Sequence, residues 1–301
     1  MMMPTCCHWA LDARGYQWQV TRVTQPLYKI VHLRSMEMLD LLGYIAAAFI
    51  GLSLGLIGGG GSILTVPVLV YLFGIDAVTA TAYSLFIVGA TSLVGAWPKH
   101  KEGLVDIKTA LAFGAPSIVA VYLTRAWLVP FIPDPVFTAA EFELSKRLLL
   151  MGLFAVLMVF ASLSMIRDKK PVATAAGGEQ GFRWGLILLE GAVVGVLTGL
   201  VGAGGGFLII PALVLFTGLP MKKAVGTSLL IIAAKSLIGF TGDLGQLQPD
   251  WTLLGIVTAI AVAGILAGNV LARRIDGGKL KKSFGWFVLV MGIYILIKEL
   301  L

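Results

Sequence analysis

Lysine 235 stands in the middle of a long apolar stretch, and it is the residue most able to do chemistry in this chain. Placing an ammonium at mid-helix depth in a bilayer costs on the order of 3 kcal/mol, and residues that bear such a cost usually line a pathway. Ser228 and Ser236 lie seven and one residues from it, so the three share one helix face. Ser84, Thr91 and Ser92 form a similar stripe earlier in the chain. Two glycine runs accompany these stripes: Gly58, Gly59, Gly60 and Gly61 followed by Ser62, and Gly202, Ala203, Gly204, Gly205 and Gly206. A glycine run breaks a helix, exposes backbone N–H groups and starts the next helix with its positive end, a combination suited to an oxyanion. Ser62 adds a hydroxyl and is placed to cap the segment that follows. Three simpler roles for Lys235 stay open: snorkelling to an interface, pairing with Glu190, or lining a path. For Glu190 they are pairing, proton coupling and snorkelling.

Enzyme chemistry finds little here. The two cysteines, Cys6 and Cys7, are adjacent near the start, and His8, His32 and His100 are scattered outside the apolar blocks. Neither set has zinc or haem spacing, so no metal site and no cofactor are expected. Neither glycine run is followed by Lys-Ser/Thr, so there is no nucleotide-binding P-loop.

The elements that must position these residues are membrane spans. Hydrophobic residues make up 58% of the chain and charged ones 13%, too few charges to cover a soluble surface. The apolar residues come in long blocks between short polar breaks. The formal charge of +7 sits mostly in those breaks, where topology needs it, and not on a soluble face that could bind nucleic acid.

The blocks repeat. Gly55-Leu-Ile-Gly-Gly-Gly-Gly-Ser-Ile-Leu-Thr-Val-Pro67 is similar to Gly199-Leu-Val-Gly-Ala-Gly-Gly-Gly-Phe-Leu-Ile-Ile-Pro211, at an offset of 199 − 55 = 144. The same offset pairs Gly51 with Gly195, Gly74 with Gly218, Ser84 with Ser228, Gly95 with Gly239 and Asp106 with Asp250. The expected fold is an all-α membrane protein, a polytopic helical bundle of two repeats with about five apolar segments each. The first comprises residues 37–167 and the second 183–301, joined by a cytoplasmic linker at 168–182. Residues 1–36 are expected to be a poorly ordered tail, with Met36 and Met38 as alternative starts.

An odd number of segments inserts the second repeat upside down. Loop charges agree: Lys99 and Lys101 face a partner loop with Asp243, and the acidic loop 130–144 faces a partner with Arg273, Arg274, Lys279, Lys281 and Lys282. Placing the basic loops in the cytoplasm turns both termini outward; the basic tail is the one misfit. The second segment of each repeat is too short to span, so the glycine breaks are read as broken helices or re-entrant hairpins. The pairs Gly51/Gly55, Gly195/Gly199 and Gly264/Gly268 have the spacing of close helix packing. Trp97, Trp127, Trp251 and Trp286 are read as interfacial anchors, and Asn269 as a helix–helix hydrogen bond.

The two glycine motifs, with Gly226-Thr-Ser228 in the second half, resemble the TauE/SafE sulfite-exporter family, also called the toluene-sulfonate uptake permease group. The resemblance spans about residues 39–298. It implies a bacterial-type inner-membrane permease for sulfite, sulfonates and related anions, and points to Gly58 to Ser62, Pro67, Gly202 to Gly206, Pro211 and Ser228. The first half has Ala82-Tyr-Ser84 where the second has Gly226-Thr-Ser228, so the stripes are not equivalent. The expected function is gradient-driven transport of a small anionic substrate, with a coupling proton as partner, in a lipid bilayer. The alternatives are a passive anion channel and, further off, a membrane-embedded enzyme.

Overall fold

Three aspartates start three of the long helices. Asp76 accepts from the N–H groups of Val78 and Thr79, Asp106 from Thr109, and Asp250 from Thr252 and Leu253. Each closes backbone donors that a helix start leaves open. The bond from Thr109 N–H holds the Asp106 carboxyl below its usual range, aided by the Thr109 hydroxyl, Lys223 and Lys108, while its partial burial opposes this.

The computed structural model describes residues 24–139, 142–166, 184–272 and 277–300. The helices are α1 (Thr24–Ile57), α2 (Thr65–Tyr71), α3 (Ala77–Lys101), α4 (Ile107–Leu123), α5 (Lys146–Ile166), α6 (Trp184–Val201), α7 (Gly206–Phe216), α8 (Met221–Thr241), α9 (Trp251–Leu271) and α10 (Gly277–Leu300). A 3₁₀ turn, Gly60–Leu64, leads into α2, and a π-helical turn, Thr124–Leu128, extends α4. A small antiparallel ribbon, β1 (Phe137–Ala139) with β2 (Phe142–Leu144), lies before α5. The chain divides into two units, Met1–Leu39 and Asp40–Leu301, and the packing described here is that of the second. The helix that carries the first apolar segment begins at Thr24, ahead of the apolar residues themselves. Residues 1–23 and the linker 168–182 lie outside the described residues.

Among the described residues, six helices are long and apolar enough to cross a membrane, within α1, α3, α4, α5, α8 and α9. Residues Gly60–Tyr71 and Ile187–Val201 form shorter apolar helices. The central pair is α3 and α8: 67% of the most apolar window of each is buried, against 39% for α1, α5 and α9. The outer helices show large apolar side chains, such as Phe49, Leu111 and Val270, at the surface, as lipid-facing positions should. Trp97, Trp127, Trp251 and Trp286 are all exposed.

Packing follows the small residues. α1 lies on α9 through Gly51, Gly55, Gly264 and Gly268, and α6 lies on α4 through Gly191, Gly195 and Gly199. In each case a Cβ would run into the neighbour's backbone or Cβ. With no hydrophobic drive between helices in lipid, such close backbone approach is what holds them.

These contacts exchange under the 144-residue offset. Gly51 backs onto Ala261, and Gly195 backs onto Ser117. Gly95 meets Ile265 and Leu229, and Gly239 meets Val121 and Leu85. The Asp250 N–H donates to the Tyr83 hydroxyl at 2.7 Å, and the Asp106 N–H donates to Thr227 Oγ1 at 2.9 Å. Each bond thus ties the start of a helix in one half to the central helix of the other. The Asn269 amide donates to Gly95 O at 3.5 Å, the helix–helix bond read from the sequence.

Replacing Gly195 with Leu should cost about 2–3 kcal/mol, because the side chain meets Ser117 backbone and cannot relax. Gly255 has open space where a Cβ would go, so Gly255→Ala should stabilise by up to about 1 kcal/mol. Thermal unfolding of the two variants in detergent micelles checks both signs.

Candidate functional site

The glycine runs end α1 and α6 in the same way. Gly58 N–H closes the last turn of α1 on Leu54 O, and Gly202 N–H closes α6 on Thr198 O, both at 2.8 Å. Gly58 has φ +88° and Gly202 φ +73°, so each chain leaves its helix through a backbone shape that suits only glycine. Gly58 then packs on Val225 of α8, and Gly202 on Thr81 of α3.

The two breaks meet. A Cβ on Gly59 would fall on the Gly206 backbone, and one on Gly206 would fall on Gly59. Gly204 sits against Val88, Ile232 and Ser62, with Ser62 Cβ 3.4 Å from where its own Cβ would be. Every residue from Gly58 to Ser62 and from Gly202 to Gly206 is buried. Proline 67 follows in α2 and is buried.

Ser62 departs from expectation. Its hydroxyl donates to Gly59 O at 2.8 Å and does not cap a helix, since the 3₁₀ turn Gly60–Leu64 occupies the place of a clean helix start. Ser228 likewise donates to Val225 O at 2.8 Å, within its own helix. In contrast Ser84, Thr91, Ser92 and Ser236 are buried, and among the described residues their hydroxyls have no hydrogen-bond partner. They lie on α3 and α8, the two central helices.

Lys235 is fully buried, which removes the snorkelling reading. It does not pair with Glu190 either. Its Nζ donates to Thr198 Oγ1 at 3.0 Å, and the Thr198 hydroxyl in turn donates to Gly195 O at 3.2 Å. Thr198 lies eight residues beyond Glu190 on α6, about 12 Å along the axis. The ammonium has three donors and engages one of them this way; no ion pair to Lys235 occurs among the described residues. A Cβ on Gly205 would lie 2.8 Å from Nζ, so the charge sits against the glycine break. Gly205 has φ +67° and caps α7; its own N–H donates to Ala203 O at 2.6 Å and the Leu208 N–H donates to Gly205 O at 3.0 Å, so the helix start is already partly closed.

The arrangement is therefore a buried positive charge, a helix start and orphan hydroxyls, with no carboxylate paired to the charge among the described residues. Thr198 was not singled out in the sequence reading, and nothing in its spacing marks it. Arg125 was also passed over, although an arginine inside the apolar block 104–129 carries the same signal as Lys235. It is fully buried, with Nε 3.5 Å from Asp243 Oδ2. Burial pushes the Asp243 carboxyl up to about 6, and the Arg125 charge opposes that shift. Among the described residues no group of three or more His, Cys, Asp or Glu side chains could hold a metal.

A bundle of apolar helices interrupted at its centre by two buried glycine breaks is the architecture of a multi-pass membrane protein that moves small solutes. The chain belongs to the sulfite exporter TauE/SafE family, whose model matches residues 43–295. It is 31% identical over 268 residues to a probable membrane transporter protein of Xylella fastidiosa, covering 83% of this chain and 92% of that protein. It is 28% identical to the probable membrane transporter protein YdhB of Bacillus subtilis, covering 82% and 96%. It is also 28% identical to a probable membrane transporter protein of Haemophilus influenzae, covering 86% and 98%. No solved structure matches the chain.

Replacing Lys235 with Met should raise the melting temperature of the purified protein. The change removes a buried charge that has no counter-charge and keeps the side-chain volume, a swap worth about 1–4 kcal/mol for buried ionic groups. Gly205→Ala should lower it, because the Cβ meets Thr198 and the backbone is strained at φ +67°. Differential scanning calorimetry of both variants tests the opposed signs.

Proposed function

We propose that the chain is a gradient-driven permease for small anions, with sulfite, sulfonates and related sulfur-containing or organic anions as its substrates. The observation that carries this is Lys235, buried beside Gly205 with a hydroxyl and no carboxylate for company. An ammonium so placed is stabilised when an anion arrives, and it selects against cations. The start of α7, capped by Gly205 beside Lys235, brings the positive end of a helix to the same spot. Ser84 and Ser236, orphaned on the two central helices, are the hydroxyls we assign to the substrate oxygens. Gly58 to Ser62 form the opposing wall.

The two halves are, in this reading, inverted-topology repeats. The exchanged contacts at an offset of 144 residues support a two-fold relation between them, and the opposite charge of partner loops supports its direction. Alternating access then comes from rocking one half against the other about the glycine contact. Glu190, partly buried on α6, is the group we assign to proton coupling.

The test is flux into liposomes loaded with the purified protein. Sulfite or a short sulfonate should accumulate uphill under an imposed proton gradient, and Lys235→Met should reduce the rate at least tenfold. Flux that only runs downhill would mark a passive anion channel. Unchanged flux in Lys235→Met would remove the site from the argument.

A further inference from the structure

Arg125 is the second buried cation, and the transport reading above does not use it. Its side chain is fully buried, yet none of its three nitrogens makes a hydrogen bond. Among the described residues its one counter-charge is Asp243, at 3.5 Å from Nε, and Asp243 Oδ2 has no hydrogen-bond partner there either. A structural arginine–carboxylate pair usually docks through two parallel N–H···O bonds. Here the guanidinium fork keeps its five donors unspent.

The backbone presents this residue deliberately. Arg125 stands on the π-helical turn Thr124–Leu128, a local widening often found at functional positions. Gly242 lets the end of α8 come close: its Cβ would lie 3.1 Å from Arg125 Cβ and 3.2 Å from the Ala126 nitrogen. Thr124, the neighbour of Arg125, packs on Gly199, the neighbour of Thr198, which holds Lys235. Asp243 lies in the turn just past the end of α8, eight residues after Lys235. Asp243 also lines a cleft of about 220 Å³ with Asp76, Thr79, Val129, Lys146 and Gln246. The residue thus borders that cleft and pairs with the guanidinium.

We propose that Arg125 is a second binding station for a small oxyanion, between the cleft and the Lys235 site, and that Asp243 is its built-in, displaceable competitor. An entering anion takes the place of the Asp243 carboxylate on the guanidinium and then moves on to Lys235. The proposal extends the permease reading and rests on it for the onward step. The device exists at one mouth only, since the offset of 144 places Asn269 opposite Arg125 and Lys99 opposite Asp243.

The test is sodium sulfite binding to the full chain in detergent micelles, by calorimetric titration and by melting temperature, with sodium chloride at matched ionic strength as control. Asp243→Asn empties the competitor's charge. It should tighten sulfite binding at least tenfold and make sulfite raise the melting temperature more than it does in the wild type. Adding Arg125→Gln should abolish both gains. Adding Lys235→Met instead should keep them, so this station and the Lys235 site succeed or fail separately. If Asp243→Asn unfolds, sulfite should restore it, because the anion replaces the missing charge. A folded Asp243→Asn protein with wild-type sulfite affinity overturns the proposal. So does an unfolded one that sulfite does not rescue, or a gain that survives Arg125→Gln.

Discussion

The constraint on which the rest depends is the backbone contact between Gly59 and Gly206. Two chain breaks can lie at the centre of an apolar bundle only if protein covers their polar groups. Here each break covers the other, and the central helices α3 and α8 close the remaining sides through Val88, Thr81, Val225 and Ile232. Side chains at either glycine would separate the halves. The flanking contacts through Gly51, Gly195, Gly264 and Gly268 then follow, since they bring α1 onto α9 and α6 onto α4 at the spacing the breaks demand.

The halves share this scaffold and differ in their chemistry. Where the second half has Lys235 and Thr198, the first has Thr91 and Leu54. Where the first has Arg125, the second has Asn269. A scaffold with two equivalent breaks therefore carries its buried positive charges at unequal positions. That asymmetry has an electrostatic sense in the proposed function. One central cation gives the anion a single resting place, and one peripheral cation gives it a single charged approach. Two equal central cations would repel each other in a medium of low polarity and would hold an anion too firmly to release it.

Much of this was legible in the sequence for a simple reason. In a bilayer, the glycine runs, the apolar blocks and the repeat offset leave marks that tertiary context seldom overrides. The close packing of Gly51/Gly55 and Gly195/Gly199 followed from spacing alone; spacing also put each polar stripe on one helix face, and the fold then buries both. Partnerships were less legible. Ser62 reads as a cap because a serine after glycines often is one, but the 3₁₀ turn directs its hydroxyl to Gly59 O. Pairing with Glu190 is one of the roles the sequence leaves open for Lys235, because both are charges in apolar blocks of the same half. The fold brings Thr198 there instead, and hydroxyls inside helices carry no pattern that distinguishes a ligand from a self-bonded side chain. Arg125 was missed near the end of a long apolar block, where an arginine looks like a terminus; the π-helical turn carries the helix past it and buries it.

The orphan hydroxyls bear on how a site like this releases its cargo. Ser84, Thr91, Ser92 and Ser236 could each satisfy themselves on a carbonyl of their own helix, as Ser228 does, and they do not. Leaving a buried hydroxyl unpaired costs about 1–3 kcal/mol. Three of them stand on α3 and one, Ser236, on α8 next to Lys235, so the unmet hydrogen-bonding capacity is shared unequally between the central helices. In the proposed function an anion at Lys235 recovers part of that cost from Ser236 beside it and gives it up again on leaving, so the hydroxyl favours binding without adding a second charge that would hold the cargo.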